Sequence, residues 1–235
     1  MAEQLSLNFE FRGNKTFDDF FPGVNQEIVT HLKNFLLADE EQQIFICGKS
    51  GLGKTHLLQA CCHQAHKQNL SAFYFALSDT GLPDPALLIG LDKFDLVCFD
   101  NIDYIAGDPV WEQAFFNFFN LHRSSGHKLI LSACCAPHKI AIQLPDLKTR
   151  LNWGLTLKVK PLADNDKITA LIFKANQLGF AITPQAGQFL LAHYDRDLVN
   201  LWALLDKLDR ASLAAKCKLT LPFLRKFLLQ ENVDR

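Results

Sequence analysis

Gly48-Lys49-Ser50-Gly51-Leu52-Gly53-Lys54-Thr55 fits the pattern GxxxxGK[ST] at every fixed position. Glycines in such a loop let the backbone curl until successive N–H groups face one anion. Lys54 adds positive charge toward the outer phosphates of a nucleotide, and Thr55 offers a hydroxyl to Mg2+. A helix that begins there contributes the positive end of its dipole. The flanks supply the required setting. An apolar strand, Ile44-Phe45-Ile46-Cys47, precedes the loop, and residues 54–68 read as an amphipathic helix. A glycine-rich turn without a ligand is the weaker reading.

The partner of such a loop is a buried strand that ends in an acid. Leu96-Val97-Cys98-Phe99-Asp100 fits, and Asp100 would hold Mg2+ directly or through water. The next residue is Asn101, where a hydrolytic relative carries an acid that orients the attacking water. Asparagine can position a water but is no base. Asp103, two residues on, is the remaining acid that could substitute.

Working outward, strands alternate with helices. Residues 26–38 read as a helix, 72–77 and 96–99 as strands, 83–85 as a turn or helix start, and 111–122 as a helix. Residues 128–133 and 155–160 complete the strands. This pattern predicts an α/β fold with a doubly wound, mostly parallel sheet. After Pro161 no strand is expected. Helices are read over 166–178, ending before Gly179, over 183–193 behind a Thr-Pro start, over 197–214, and over 222–229. The expected organisation is an arm over residues 1–15, a nucleotide-binding α/β domain over 16–160, and a small all-helical lid over 161–235.

The bulk numbers bound the function. With 235 residues, 49% of them apolar, the chain can bury a substantial core. A formal net charge of −1 argues against coating nucleic acid by bulk electrostatics. No apolar run approaches the ~20 residues that span a bilayer, and no secretion signal opens the chain. The seven cysteines lack metal-ligand spacing and read as small reduced hydrophobes of the cytoplasm.

These residues resemble the DnaA-related AAA+ family. Gly53-Lys54-Thr55-His56-Leu57-Leu58, the upstream Thr16-Phe17-Asp18-Asp19-Phe20 with Gly23 and Asn25, and Pro145-Asp146-Leu147-Lys148-Thr149-Arg150-Leu151 with Trp153-Gly154 are similar to that family's motifs. Ala106-Gly107-Asp108 with Trp111-Glu112, and Leu208-Asp209-Arg210-Ala211-Ser212, resemble a regulatory branch that inactivates the replication initiator DnaA. The sequence ends at Arg235, and no stretch for the initiator's DNA-binding helices is expected after the lid. The resemblance implies a P-loop AAA+ fold. It implies ADP or ATP with Mg2+ on Gly48, Ser50, Gly51, Leu52, Gly53, Lys54, Thr55, His56 and Asp100, with Thr55 and Asp100 at the metal. It also implies that Arg150 is an arginine finger acting in trans on the nucleotide of DnaA. Taken alone, Arg150 would read as a solvated surface charge.

Gln4-Leu5-Ser6-Leu7-Asn8-Phe9 alternates like an edge strand. Within the resemblance it is similar to a peptide that docks on the DNA sliding clamp, with Leu5, Leu7 and Phe9 as apolar anchors and Gln4 as the hydrogen-bonding head. The implied partners are therefore the sliding clamp and DnaA, with self-association and only indirect or weak DNA contact. The implied location is the cytoplasm, on the nucleoid through the clamp.

Three departures weigh against brisk turnover. They are Asn101, Cys134 at the sensor position after the third central strand, and Val199 where a lid arginine is usual. Arg196, one helical turn earlier, is the cation that could reach the phosphates instead. The expectation is a negative regulator of replication initiation with weak or no ATPase of its own. The alternative is a stand-alone P-loop ATPase that acts as a loader or remodeller.

Overall fold

A computed structural model describes residues 15–37 and 41–215, together with Leu224 and Phe227. The clamp-type motif Gln4-Leu5-Ser6-Leu7-Asn8-Phe9 lies outside the described residues, as does most of the helix expected over 222–229.

The elements follow the expected alternation: α1 (Gln26–Phe35), β1 (Gln43–Cys47), α2 (Lys54–Lys67), β2 (Ala72–Ala76), β3 (Leu96–Asp100), α3 (Pro109–Ser124), β4 (Lys128–Ala133), α4 (Pro145–Leu151) and β5 (Leu155–Lys158). The five strands form one sheet in the order β2-β3-β4-β1-β5, and every pairing is parallel. Strands with both faces covered read as continuous apolar runs, and all five residues of β1 and of β3 are buried.

Successive side chains of a strand point to opposite faces, and the core divides accordingly. Phe45, Val97, Phe99, Leu129 and Leu131 face a core built with α3 and α4. Ile44, Ile46, Leu96, Cys98 and Ile130 face another built with α1 and α2. Phe99 anchors the first core, with Phe115 and Phe118 edge-on at 5.3 and 5.7 Å. Such pairs add to simple area burial.

Beyond β5, helices α5 (Asp164–Gln177), α6 (Pro184–His193) and α7 (Leu198–Ala215) share a separate apolar core that includes Leu171, Leu190, Leu201 and Leu208. Thr183 caps α6 by accepting from the Ala186 N–H. Asp197 stands before α7 and accepts from the Val199 N–H. No helix among the described residues is long and apolar enough to cross a membrane.

Several element ends differ from the sequence reading, among them those of α1 and β5. Helix α1 stops at Phe35. Strand β5 stops at Lys158, because the buried Asn25 takes both backbone groups of Lys160, accepting its N–H at 2.8 Å and donating to its carbonyl at 2.9 Å. Asn25 thus ties the start of α1 to the chain just beyond the sheet.

Helix α4 is pinned at both ends. The carboxylate of Glu112, only 1% exposed, accepts N–H bonds from Gly107, Gln143 and Leu144 ahead of it. At the other end the buried Gln43 donates to the carbonyls of Leu151 and Arg150 at 3.3 and 3.4 Å. Gly154 then turns the chain into β5 at φ 74°. A Cβ there would sit 2.3 Å from the Gln43 carbonyl oxygen, so only glycine fits.

His122, on α3, is 2% exposed, and its Nε2 has no hydrogen-bond partner. Burial, reinforced by His127, pulls its pKa down to about 4. The unfolded chain protonates first, near pH 6.5. Above that pH the group contributes nothing. As pH falls from 6.5 toward 4 it costs up to about 3 kcal/mol of stability. Burial lowers the pKa of His56 as well and adds a loss of the same sign. Urea unfolding at stepped pH is expected to show a shallower loss below pH 6.5 for His122→Gln than for the unaltered chain.

Candidate functional site

The site forms at the carboxyl ends of β1, β3 and β4, where ligands of open parallel sheets bind. β4 lies between the other two. The loop leaves β1 at Gly48, whose N–H reaches the Ala133 carbonyl of β4 at 3.2 Å. It re-enters a helix at Gly53, which has φ 88°, and an added Cβ there would meet Phe20 at 2.7 Å. Phe20 therefore packs directly on the loop's last turn. Lys54 is 6% exposed, and its ammonium donates to the carbonyls of Gly48 and Lys49 at 2.8 and 3.1 Å. The cation is held inside the curl of the loop.

Asp100 closes the other side. It is 1% exposed, and three hydroxyls donate to it: Thr55 at 2.5 Å, Tyr74 at 3.1 Å, and Ser132. Burial and the neighbouring Asp100 charge push the Tyr74 phenol well above its ordinary pKa, which keeps it a donor. One carboxylate beside one hydroxyl is a hard-oxygen pair. It suits Mg2+, which usually takes one or two carboxylates and completes its shell with phosphate oxygens and water. No group of three or more His, Cys, Asp or Glu placed to hold a metal ion occurs among the described residues. The residues present therefore fit a metal held mainly by a phosphate ligand, with Thr55 and Asp100 as its protein groups.

The residues beyond Asp100 have other tasks. Asn101 takes a left-handed backbone, φ 60°. Its amide donates to the Leu77 carbonyl at 3.2 Å, and its N–H donates to Ser132 Oγ at 3.1 Å. Its side chain thus serves the end of β2. Asp103 accepts the Cys134 N–H at 3.3 Å, and its other oxygen is buried without a partner. Ser132 supplies the β4 side chain that touches Asp100, because β4 points it toward β3, while Cys134 lies exposed beyond the strand end. Arg196 does not turn to the loop; it pairs with Asp164 at 3.4 Å. What approaches the loop from the lid is Asp197 with Val199, each 3.4 Å from where a Gly51 Cβ would lie.

His56 follows Thr55, but its ring faces away from the loop's curl. Its Nε2 bonds the Thr16 carbonyl at 2.7 Å, and Phe20 lies 5.3 Å from the ring. The segment around Thr16 is thereby locked onto the start of α2.

Arg150 occupies the last turn of α4. Its guanidinium lies over the Trp153 ring at 4.0 Å, half-buried. Arg123, at the end of α3, lies over the same ring at 4.3 Å. Among the described residues neither guanidinium has a carboxylate within ion-pair distance. The parts played by Tyr74 and Arg123 escaped the sequence reading. A tyrosine in an otherwise apolar strand was the available signal for the first, and nothing in the pattern signalled the second.

Comparison with known proteins agrees with this geometry. The family described as the bacterial DnaA ATPase domain matches residues 11–78 and 89–158, and the Hda lid domain matches residues 164–228. Domain III of the Thermotoga maritima DnaA is similar in structure, with a TM-score of 0.75 at 21% identity, covering 92% of this chain and 96% of that one. The AMPPCP-bound DnaA of Aquifex aeolicus gives 0.73 at 21%, covering 86% of this chain and 67% of that one. The Thermotoga maritima RuvB branch migration motor gives 0.68 at 14%, covering 90% and 70%. Another DnaA structure, bound to AMPPCP and single-stranded DNA, gives 0.72 at 21%, and the chain spans 66% of its length. These likenesses establish a P-loop AAA+ fold with a helical lid.

Ser132→Ala removes one of the three hydroxyls on a buried carboxylate and is expected to cost about 1–3 kcal/mol in urea unfolding. In an Asp100→Asn background the same change should cost clearly less. Equal costs in both backgrounds would place Ser132 outside the Asp100 network.

Proposed function

This chain belongs to the bacterial DnaA ATPase-domain family, and we propose that it lends a cation to the active site of the initiator DnaA while holding an adenine nucleotide of its own. In this reading the loop N–H groups and Lys54 hold the phosphates of ADP or ATP, and Thr55 and Asp100 hold the accompanying Mg2+. Bound Mg2+ would neutralise phosphate charge. Gly48, Ser50, Gly51, Leu52, Gly53 and the backbone of His56 would complete the cradle. The observation that carries the proposal is the placement of Arg150. Its guanidinium lies on Trp153 at the end of a helix pinned at both ends, without a carboxylate partner among the described residues. A stacked guanidinium keeps its in-plane N–H donors free for a phosphate.

Asn101 supports the regulatory form of the reading over a stand-alone motor. Its amide is tied to Leu77, and an amide is no base for the attacking water. Clamp docking through Gln4, Leu5, Leu7 and Phe9 would bring the chain to DNA-bound clamps, placing it on the nucleoid of the cytoplasm. Hydrolysis would then leave the initiator ADP-bound and restrain further initiation.

Arginine fingers contribute on the order of 10³–10⁵ in rate in well-studied cases. Arg150→Ala is therefore expected to lose nearly all stimulation of ATP hydrolysis by DnaA on clamp-loaded DNA, while keeping its own nucleotide and clamp binding. In the same assay the Leu5→Ala, Leu7→Ala double variant should fail a clamp pull-down and keep nucleotide. Normal stimulation by Arg150→Ala would remove the finger assignment.

A further inference from the structure

We propose that Arg123 is a second trans-acting arginine, paired with Arg150 on Trp153 to clamp the polyphosphate of a neighbouring P-loop ATPase. This rests on the reading of Arg150 above.

Arg123 and Arg150 end different helices, α3 and α4, and are far apart in sequence. Both guanidiniums nevertheless lie within 4.3 Å of one indole centroid. The indole is fixed in turn. Phe119 of α3 stands edge-on to it at 6.1 Å, and Gly154 presses the following backbone against Gln43.

An aromatic face attracts each cation, and the two cations repel each other. Three other cations of the described residues pair with acids: Lys33 with Asp18, and Lys167 and Arg196 with Asp164. Among the described residues no carboxylate reaches Arg123 or Arg150. The fold therefore gathers two positive charges on a rigid platform and leaves them unneutralised. A ligand whose negative oxygens reach both guanidiniums relieves that repulsion and gains two planar donor sets. The β- and γ-phosphates of a nucleotide provide such oxygens.

In the partner's hydrolysis, water oxygen bonds to the γ-phosphorus while the bond from that phosphorus to the β–γ bridging oxygen breaks. The bridging oxygen departs with ADP, and the water's proton leaves with inorganic phosphate or to solvent. Arg123 and Arg150 only donate hydrogen bonds to the oxygens that gain charge. Trp153 is a positioning residue.

The test titrates the full-length chain against ATP-loaded DnaA on clamp-loaded DNA, which separates maximal hydrolysis rate from half-saturating concentration. Arg123→Ala is expected to lower the maximal rate at least about tenfold, since an arginine finger acts on rate, with half-saturation and melting midpoint unchanged. Arg123→Lys should not restore the rate, because an ammonium lacks the planar donor set. Trp153→Phe, which keeps a ring, should retain more activity than Trp153→Ala. A full maximal rate for Arg123→Ala, or a change in half-saturation alone, overturns the inference. If Arg150→Ala is inactive in that same experiment, the finger reading survives; if both variants stimulate normally, both fall.

Discussion

One buried carboxylate organises the molecule's working end. Asp100 is removed from water, and leaving such a charge unpaired costs several kcal/mol. Its compensation comes from hydroxyls on three separate elements: Thr55 on α2, Tyr74 on β2 and Ser132 on β4. Those residues meet only if β4 lies between β1 and β3, β2 lies outside β3, and α2 begins directly at the phosphate loop. The strand order satisfies all three conditions. The contact between Asp100 and Thr55 also joins the two halves of the nucleotide reading, because it places the acid and the hydroxyl that would share a metal side by side.

The cations are divided between inward and outward tasks. Lys54 is folded into its own loop, bonded to the carbonyls of Gly48 and Lys49. The lid offers the loop a carboxylate and an apolar side chain, Asp197 and Val199, and its nearby arginine is engaged with Asp164. Arg150 and Arg123 sit instead on Trp153, off the loop, on helices that build the opposite core face from α1 and α2. Under the proposed reading the nucleotide held by this chain serves its shape, and the arginines serve a phosphate on another molecule.

Much of the architecture was legible in the sequence because it is periodic or local. The apolar runs around Ile46, Cys98 and Ile130 mark buried strands by their continuity. The loop motif announces its own turn, and Thr183-Pro184 and Gly179 punctuate the lid helices. Illegible were contacts between side chains and distant backbone. Gln43 reaches Arg150 and Leu151 across more than a hundred residues, and Asn25 reaches Lys160 across 135. No spacing rule encodes such pairs, yet they decide where β5 ends and how α4 is aimed. The contact of Ser132 with Asp100 was hidden for a similar reason. Whether Ser132 or Cys134 faces Asp100 depends on strand register, and the register shows only when the strands are paired. The role of Arg196 stayed open in the sequence, because its position just before α7 does not reveal the acid on α5 with which it pairs.

Single-turnover hydrolysis of ATP by the purified chain, measured beside its equilibrium affinity for Mg2+-nucleotide, tests the central claim most directly. The account predicts saturable, Mg2+-dependent binding with bound ATP recovered almost wholly intact after many minutes. Rapid conversion to ADP without clamp or initiator would contradict it, because it would mean that the site around Asp100 already holds every group that cleavage needs.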